Sequence, residues 1–150
     1  MAAYRQARKL ACDEAAYIAG VIDGEGTISL SRRHVTDNRQ LVISISSTER
    51  ELLAHILRVV GAGRITKKRT YRASHAPSFT YAIDNRQALA LLEQVTPYLR
   101  TYKARRAHLV LCEYVRLTPR NGKYTPAQHQ ERQIFVEEFF RIQPEAVIAN

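Results

Sequence analysis

Cysteine is scarce in this chain. Its 150 residues hold only Cys12 and Cys112, with no CxxC pair, so neither a disulfide framework nor a zinc site is indicated and a reducing compartment is the default. The five histidines (His34, His55, His75, His108, His129) form no HxxxH or His-Cys cluster, and they read as surface or core residues, not as ligands. No GxGxxG or GKS-type loop is present to bind nucleotides, and no GxSxG elbow. Apolar runs stay well short of the roughly 20 residues that cross a bilayer. The N-terminal stretch, with Arg5, Arg8 and Lys9, lacks the apolar segment of a secretory signal. A soluble, intracellular protein with no membrane partner is expected, in a bacterial, archaeal or organellar compartment. Acid is also in short supply: 14 Asp and Glu face 23 Lys and Arg, a net charge of +9. Such an excess on one small chain points to a polyanion, most commonly nucleic acid. Eighteen of the cations are Arg, the better residue for bidentate contact with phosphate and guanine, although a GC-rich genome gives the same bias.

What the chain does contain is the makings of one ordinary domain: 45% hydrophobic and 25% charged residues over 150 positions, enough for a single core. Asp13 is placed to cap a first helix through about Gly24, apolar almost all round. From Thr27 the period becomes two. Ile28 and Leu30 alternate with Thr27, Ser29, Ser31 and Arg33, and after a polar turn Leu41, Ile43 and Ile45 alternate with Gln40, Ser44 and Ser46, which is a hairpin with one greasy and one polar face. Thr48 and Glu51 form a capping box for a second helix, which Gly61 or Gly63 stops. A second hairpin follows, Arg64 to Arg72 and Ser78 to Asp84, with a loop from Ala73 to Pro77 and Ile65, Phe79, Tyr81 and Ile83 inward. Asn85 is expected to cap a short helix to Val95, Pro97 to open a longer one to about Leu117, and Thr125 with Pro126 to open a last one through Ile142, its apolar side Ile134, Phe135, Phe139 and Phe140. The core is expected over about 13–117 and a C-terminal helical extension over about 125–142.

The strand-strand-helix unit therefore occurs twice, an α+β plan with a four-stranded antiparallel sheet covered by helices on one face. The open face is expected to carry Thr27, Ser29, Ser31, Arg33, Gln40, Ser44, Ser46, Arg64, Thr66 and Lys68, small hydrogen-bonding groups mixed with cations. Antiparallel ribbons fit the major groove, where such groups reach base edges and phosphates; an ordinary wetted sheet face has a similar composition.

Residues 18–26 read Ile-Ala-Gly-Val-Ile-Asp-Gly-Glu-Gly. Ala16, Gly20 and Gly24 fall four apart on one helix face, a small-residue stripe that lets two helix backbones approach closely. Since the motif occurs once, a paired partner has to come from a second subunit; a contact with the chain's own core is the alternative. Glu25 is placed just past the helix end, where unpaired carbonyls and a carboxylate attract a cation, magnesium by preference. Two subunits would set two such acids side by side, able to share divalent metals across two scissile phosphates. Asp23, in the last turn beside this seam, is expected to bond backbone groups near the helix end.

This stretch resembles the signature of the LAGLIDADG homing endonucleases, with Ile18 and Val21 for leucine, Gly24 for alanine and Glu25 for the second aspartate. The element order from Asp13 to about Leu117 is the one that family's fold requires. The resemblance implies a homodimer around the first helix, a metal held by Glu25 with the backbone of Gly24 close by, and further roles in phosphate binding or water activation for Arg50 and Lys103. Ser46 stands where some relatives carry a glutamine that positions water. It implies a site-specific endonuclease that cuts both strands of a long pseudopalindromic DNA site and leaves short 3′ overhangs. The alternatives on the same fold are an intron RNA maturase and a non-cleaving DNA-binding regulator, the latter usually with an appended helix-turn-helix and without the acid at position 25.

Overall fold

The computed structural model describes residues 6–69 and 76–145. Helix α1 (Cys12–Glu25) leads into strands β1 (Gly26–Ser31) and β2 (Gln40–Ser47), then α2 (Arg50–Val60), β3 (Arg64–Lys67), β4 (Phe79–Asp84), α3 (Asn85–Val95), α4 (Lys103–Glu113) and α5 (Pro126–Arg141). The strands form one antiparallel sheet in the order β1-β2-β4-β3. Helices α1, α2 and α3 all pack on the same face of it, as the α+β plan requires.

Alternation sets the faces. Ile28, Leu30, Leu41, Ile43, Ile45, Tyr81 and Ile83 are buried against Ile18, Ile22, Leu53, Ile56, Leu91 and Leu92 from the helices, and apolar area removed from water on this scale is the main term holding the layers together. The turn from α1 into β1 is set by close approach. A Cβ on Gly26 would lie 2.7 Å from Ile22 Cα and 3.0 Å from Ile22 O, so only glycine fits there. Gly61 ends α2 in the left-handed region at φ 74°, the stop expected of it.

Several boundaries differ from the sequence expectation. Ala11, not Asp13, is the N-cap of α1, and Glu14 reaches back to accept from Ala11 N–H at 3.0 Å. The helix also runs one residue further than expected, so Glu25 is its last residue and not a residue beyond it. The Thr48 capping box does not form: Glu49 is the N-cap of α2, and Ser47 Oγ accepts the Glu49 N–H. Strand β3 stops at Lys67; Thr70 to Arg72 of the expected strand, and the loop as far as His75, lie outside the described residues. Asn85 opens α3 at φ 56° and accepts from the Tyr114 hydroxyl instead of capping.

Pro97 opens only a short 3-10 turn, Thr96–Tyr98, and α4 begins at Lys103. Thr125 caps α5 as expected, bonding Gln128 N while Gln128 Oε1 accepts from Thr125 N. The buried side of α5 is Arg132, Phe135 and Phe139, whereas Ile134 is half exposed.

Candidate active site

Helix α1 buries Ala15, Ile18, Ala19 and Ile22 and leaves Ala16, Gly20, Gly24 and Glu25 exposed. A Cβ built on Gly20 or Gly24 meets nothing within 4 Å. The stripe is thus an open seam on the outside of the chain, not a contact with its core, and it runs up to the Glu25 carboxylate.

Asp23 points the other way. Its carboxylate accepts from Arg100 N at 2.8 Å, Thr101 N at 3.2 Å and Thr101 Oγ1 at 2.6 Å. It therefore bonds backbone ahead of α4 and not its own helix end, and its side chain is engaged within the chain, not offered to the seam. Burial acts to raise the Asp23 pKa. The hydrogen bonds from Thr101 and Arg100, with Lys103 nearby, outweigh that and hold it below the ordinary carboxylate range.

These bonds explain why the helix expected from Pro97 breaks, and they bring Lys103 under the same turn. Lys103 is 8% exposed and donates from Nζ to Ile22 O at 2.8 Å and Asp23 O at 2.9 Å, offsetting the partial negative charge at the end of α1. Burial pushes its ammonium pKa down and Arg106 adds to that, while the Asp23 and Glu25 carboxylates oppose it.

Ser46 is one step past the Gly26↔Ile45 pair, at the level of Glu25, and shares a 2.9 Å hydrogen bond with Thr80 Oγ1. Arg50 is exposed in the first turn of α2; no contact joins it to Glu25. Among the described residues no three His, Cys, Asp or Glu side chains cluster to hold a metal. One chain offers Glu25 and backbone oxygens, a hard oxygen set of the kind Mg2+ uses when substrate phosphates complete its shell.

The open sheet face extends from this end. Cross-strand rows are Ser46–Thr80–Thr66, Thr27–Ser44–Ala82–Arg64, Ser29–Val42–Asp84 and Ser31–Gln40, all exposed or half-buried. Thr80, Ala82 and Asp84 were not singled out from the sequence, although the inward Tyr81 and Ile83 imply them. Asp84 accepts from Arg64 at 3.1 Å, so that cation is partly occupied. Arg33 stands in the loop after β1 and not on the strand, and Lys68 lies just past β3, its N–H on Ser78 O. A groove of about 1340 Å³ is lined by Ser31, Arg33, Gln40, Arg64, Asp84 and Arg120, among others.

Residues 13–96, more than half of the 150, match the model of the LAGLIDADG-like domain. The chain belongs to this family. No curated protein matches the sequence. Among solved structures, the LAGLIDADG-like chain is similar to the homing endonuclease I-CvuI in complex with its target, at TM-score 0.72 and 18% identity over 93% of this chain and 87% of that one. It is also similar to the archaeal intron-encoded homing endonuclease I-Vdi141I complexed with DNA, at TM-score 0.66 and 20% identity over 92% and 89%. Against the LAGLIDADG meganuclease I-AabMI, bound to uncleaved DNA, the match has TM-score 0.62 and 20% identity and covers 81% of this chain but 43% of that one. At such identities the likeness is one of fold.

Proposed function

We propose that this LAGLIDADG-like chain is a site-specific DNA endonuclease, acting as a homodimer that hydrolyses one phosphodiester bond in each strand of a long pseudopalindromic site and leaves short 3′ overhangs. The observation that carries the reading is the exposed Glu25 carboxylate at the end of an open small-residue seam, adjoining a polar and cationic sheet face. Two copies paired along Ala16, Gly20 and Gly24 would bring two Glu25 side chains together and join two sheets into one long reading surface. The coverage supports this, since a chain matched over 43% of its length is more than twice as long as the matched segment.

In this reading the Thr27 to Lys68 face lies along the major groove, its hydroxyls and amides meeting base edges and its arginines meeting phosphates. Glu25 of each copy, with the unobstructed backbone at Gly24, would hold the divalent cation, Mg2+. When bound, that ion supplies an activated water and neutralises charge developing on the phosphate. Lys103 keeps the carbonyls at the end of α1 from adding negative charge beside the scissile group. Ser46 offers a hydroxyl level with Glu25 to hold a water, and Arg50 is free to meet a phosphate. Retention of the acid, and the packing of α5 on the core through Arg132, Phe135 and Phe139, both speak against a regulator with a separate recognition module.

The test is incubation with Mg2+ and a pool of long palindromic duplexes, wild type beside Glu25→Gln, with the ends sequenced. Defined breaks with 3′ overhangs from the wild type alone are expected, with duplex binding kept in the variant because Glu25 is exposed and supports no core contact. Breaks that persist in Glu25→Gln would remove the proposed site. Retention of duplex without any cutting would leave a binding protein, and intron RNA would then be the next ligand to try.

A further inference from the structure

Helix α4 carries two buried cations three residues apart, Lys103 and Arg106 at 8% and 6% exposure, and both are spent on main-chain carbonyls. Lys103 takes Ile22 O and Asp23 O. Arg106 donates from Nη1 to Ile28 O at 3.1 Å and from Nε to Ile142 O at 2.9 Å. Its guanidinium lies 4.8 Å from the Phe139 ring centre, 5.1 Å from Tyr102 and 5.9 Å from Phe140. Residues 22 and 28 bracket the turn that carries Glu25. Strand β1 is a sheet edge, so no further strand lies beyond it to take its outer carbonyls, and a planar fork pinned between aromatic rings holds Ile28 O in a fixed direction. The C-terminal segment completes the clamp, since Phe139, Phe140 and Ile142 fix the guanidinium.

We propose that Arg106 is a positioning residue for Glu25: anchored by the end of α5, it holds the β1 side of the acid turn while Lys103 holds the α1 side, so the backbone that carries Glu25 is fixed and its side chain starts from one place. Arg106 touches neither DNA nor metal in this role. Its effect on cleavage rests on the nuclease reading above, whereas its effect on the turn does not. Partners bonded directly to a metal ligand typically account for roughly 10- to 100-fold in activity or metal affinity, and that is the scale expected of a group that fixes the ligand's backbone.

The test compares the full-length wild type with Arg106→Met, which keeps the aliphatic packing but donates nothing, Arg106→Lys, which can reach one carbonyl, and Arg132→Met. Arg132 is equally buried but holds Leu117 O, Thr118 Oγ1 and Arg39 O, away from the turn. Three quantities are measured: amide hydrogen exchange over residues 24–30 without metal, single-turnover cleavage against Mg2+ concentration, and duplex binding without metal. Arg106→Met is expected to exchange about ten-fold faster over 24–30 and to cleave roughly 10- to 100-fold more slowly, with duplex binding within about three-fold and Arg106→Lys recovering part of the loss. Arg132→Met is expected to leave both the exchange at 24–30 and the Mg2+ midpoint unchanged. Unaltered exchange at 24–30 in Arg106→Met overturns the proposal, as does a loss of binding in proportion to the loss of cleavage. Should Arg106→Met not fold, Arg106→Lys carries the same comparison. Absence of cleavage by the wild type on every duplex overturns the nuclease reading alone, and the exchange data still decide the positioning role.

Discussion

Asp23 and Glu25 are two residues apart, and the helix turns one inward and the other out. Three hydrogen bonds hold the Asp23 carboxylate to the segment ahead of α4, and they favour its charged form strongly enough to keep its pKa below the ordinary 3.8. A carboxylate whose folded pKa is depressed contributes stability that is fully present above the unfolded value and is lost as pH falls through the folded one. Asp23→Asn is therefore expected to melt at a lower temperature than the wild type at pH 7, with the difference shrinking as pH is lowered from about 5 towards 3. Thermal melts of both proteins across that range check it; a difference that holds constant down to pH 3 would place the role of Asp23 in its shape and not in its charge. Glu25 is exposed in the last turn of α1 although Ile22, three residues before it, is buried; the sequence pattern sets it just past the helix end, one residue off its place as the last residue of α1. The bonds that join Asp23 to the segment ahead of α4, and Lys103 and Arg106 to the acid turn, span 77 to 81 residues of chain, beyond the reach of local pattern.

At the scale of the elements, the same distinction decides what was legible. Strands β1, β2 and β4 follow from period-two alternation, and α2 and α5 from apolar spacing, with Gly61 and Thr125 as stops and starts, because each depends on neighbours a few residues away. The start of α4, the cap of α3 and the buried side of α5 depend on long-range partners: Asp23 interrupts the helix after Pro97, Tyr114 takes Asn85 away from capping, and Arg132 turns inward where Ile134 was expected. Tyr114 ties three elements together. Its hydroxyl donates to Asn85 Oδ1 at 2.7 Å and accepts Leu41 N–H at 3.1 Å, with the ring 1% exposed. Tyr114→Phe preserves the ring and leaves a buried strand N–H without its partner, at a cost of about 1–3 kcal/mol. Urea denaturation should show a lower midpoint at unchanged slope, and an unchanged midpoint would mean that the Leu41 N–H finds another acceptor.

For the whole molecule, the question is whether one chain is the working unit. In the proposed reading the charge of +9 and the sheet rows face duplex DNA, and one copy supplies one Glu25 and leaves the Ala16–Gly20–Gly24 face bare. Within one chain, a side chain at Gly20 meets nothing within 4 Å, so any effect of enlarging it reports on a second molecule. Gly20→Leu is accordingly expected to keep the helix content and melting behaviour of the single chain, since leucine is a better helix former than glycine by roughly 0.8 kcal/mol. Two backbones that approach through a small-residue stripe have no room for an isobutyl group, so the variant should sediment as a monomer at concentrations where the wild type is a dimer. In the cleavage assay it should lose breaks in both strands while still retaining duplex DNA weakly. Bifunctional maleimide coupling in a Cys112→Ser background, through Cys12, which is exposed in the first turn of α1 one turn before Ala16 on the same face, gives an independent readout: the Cys112→Ser protein should cross-link to a dimer and its Gly20→Leu variant should not. If Gly20→Leu remains a dimer and cross-links as before, the subunits meet elsewhere, and the two Glu25 carboxylates are not neighbours.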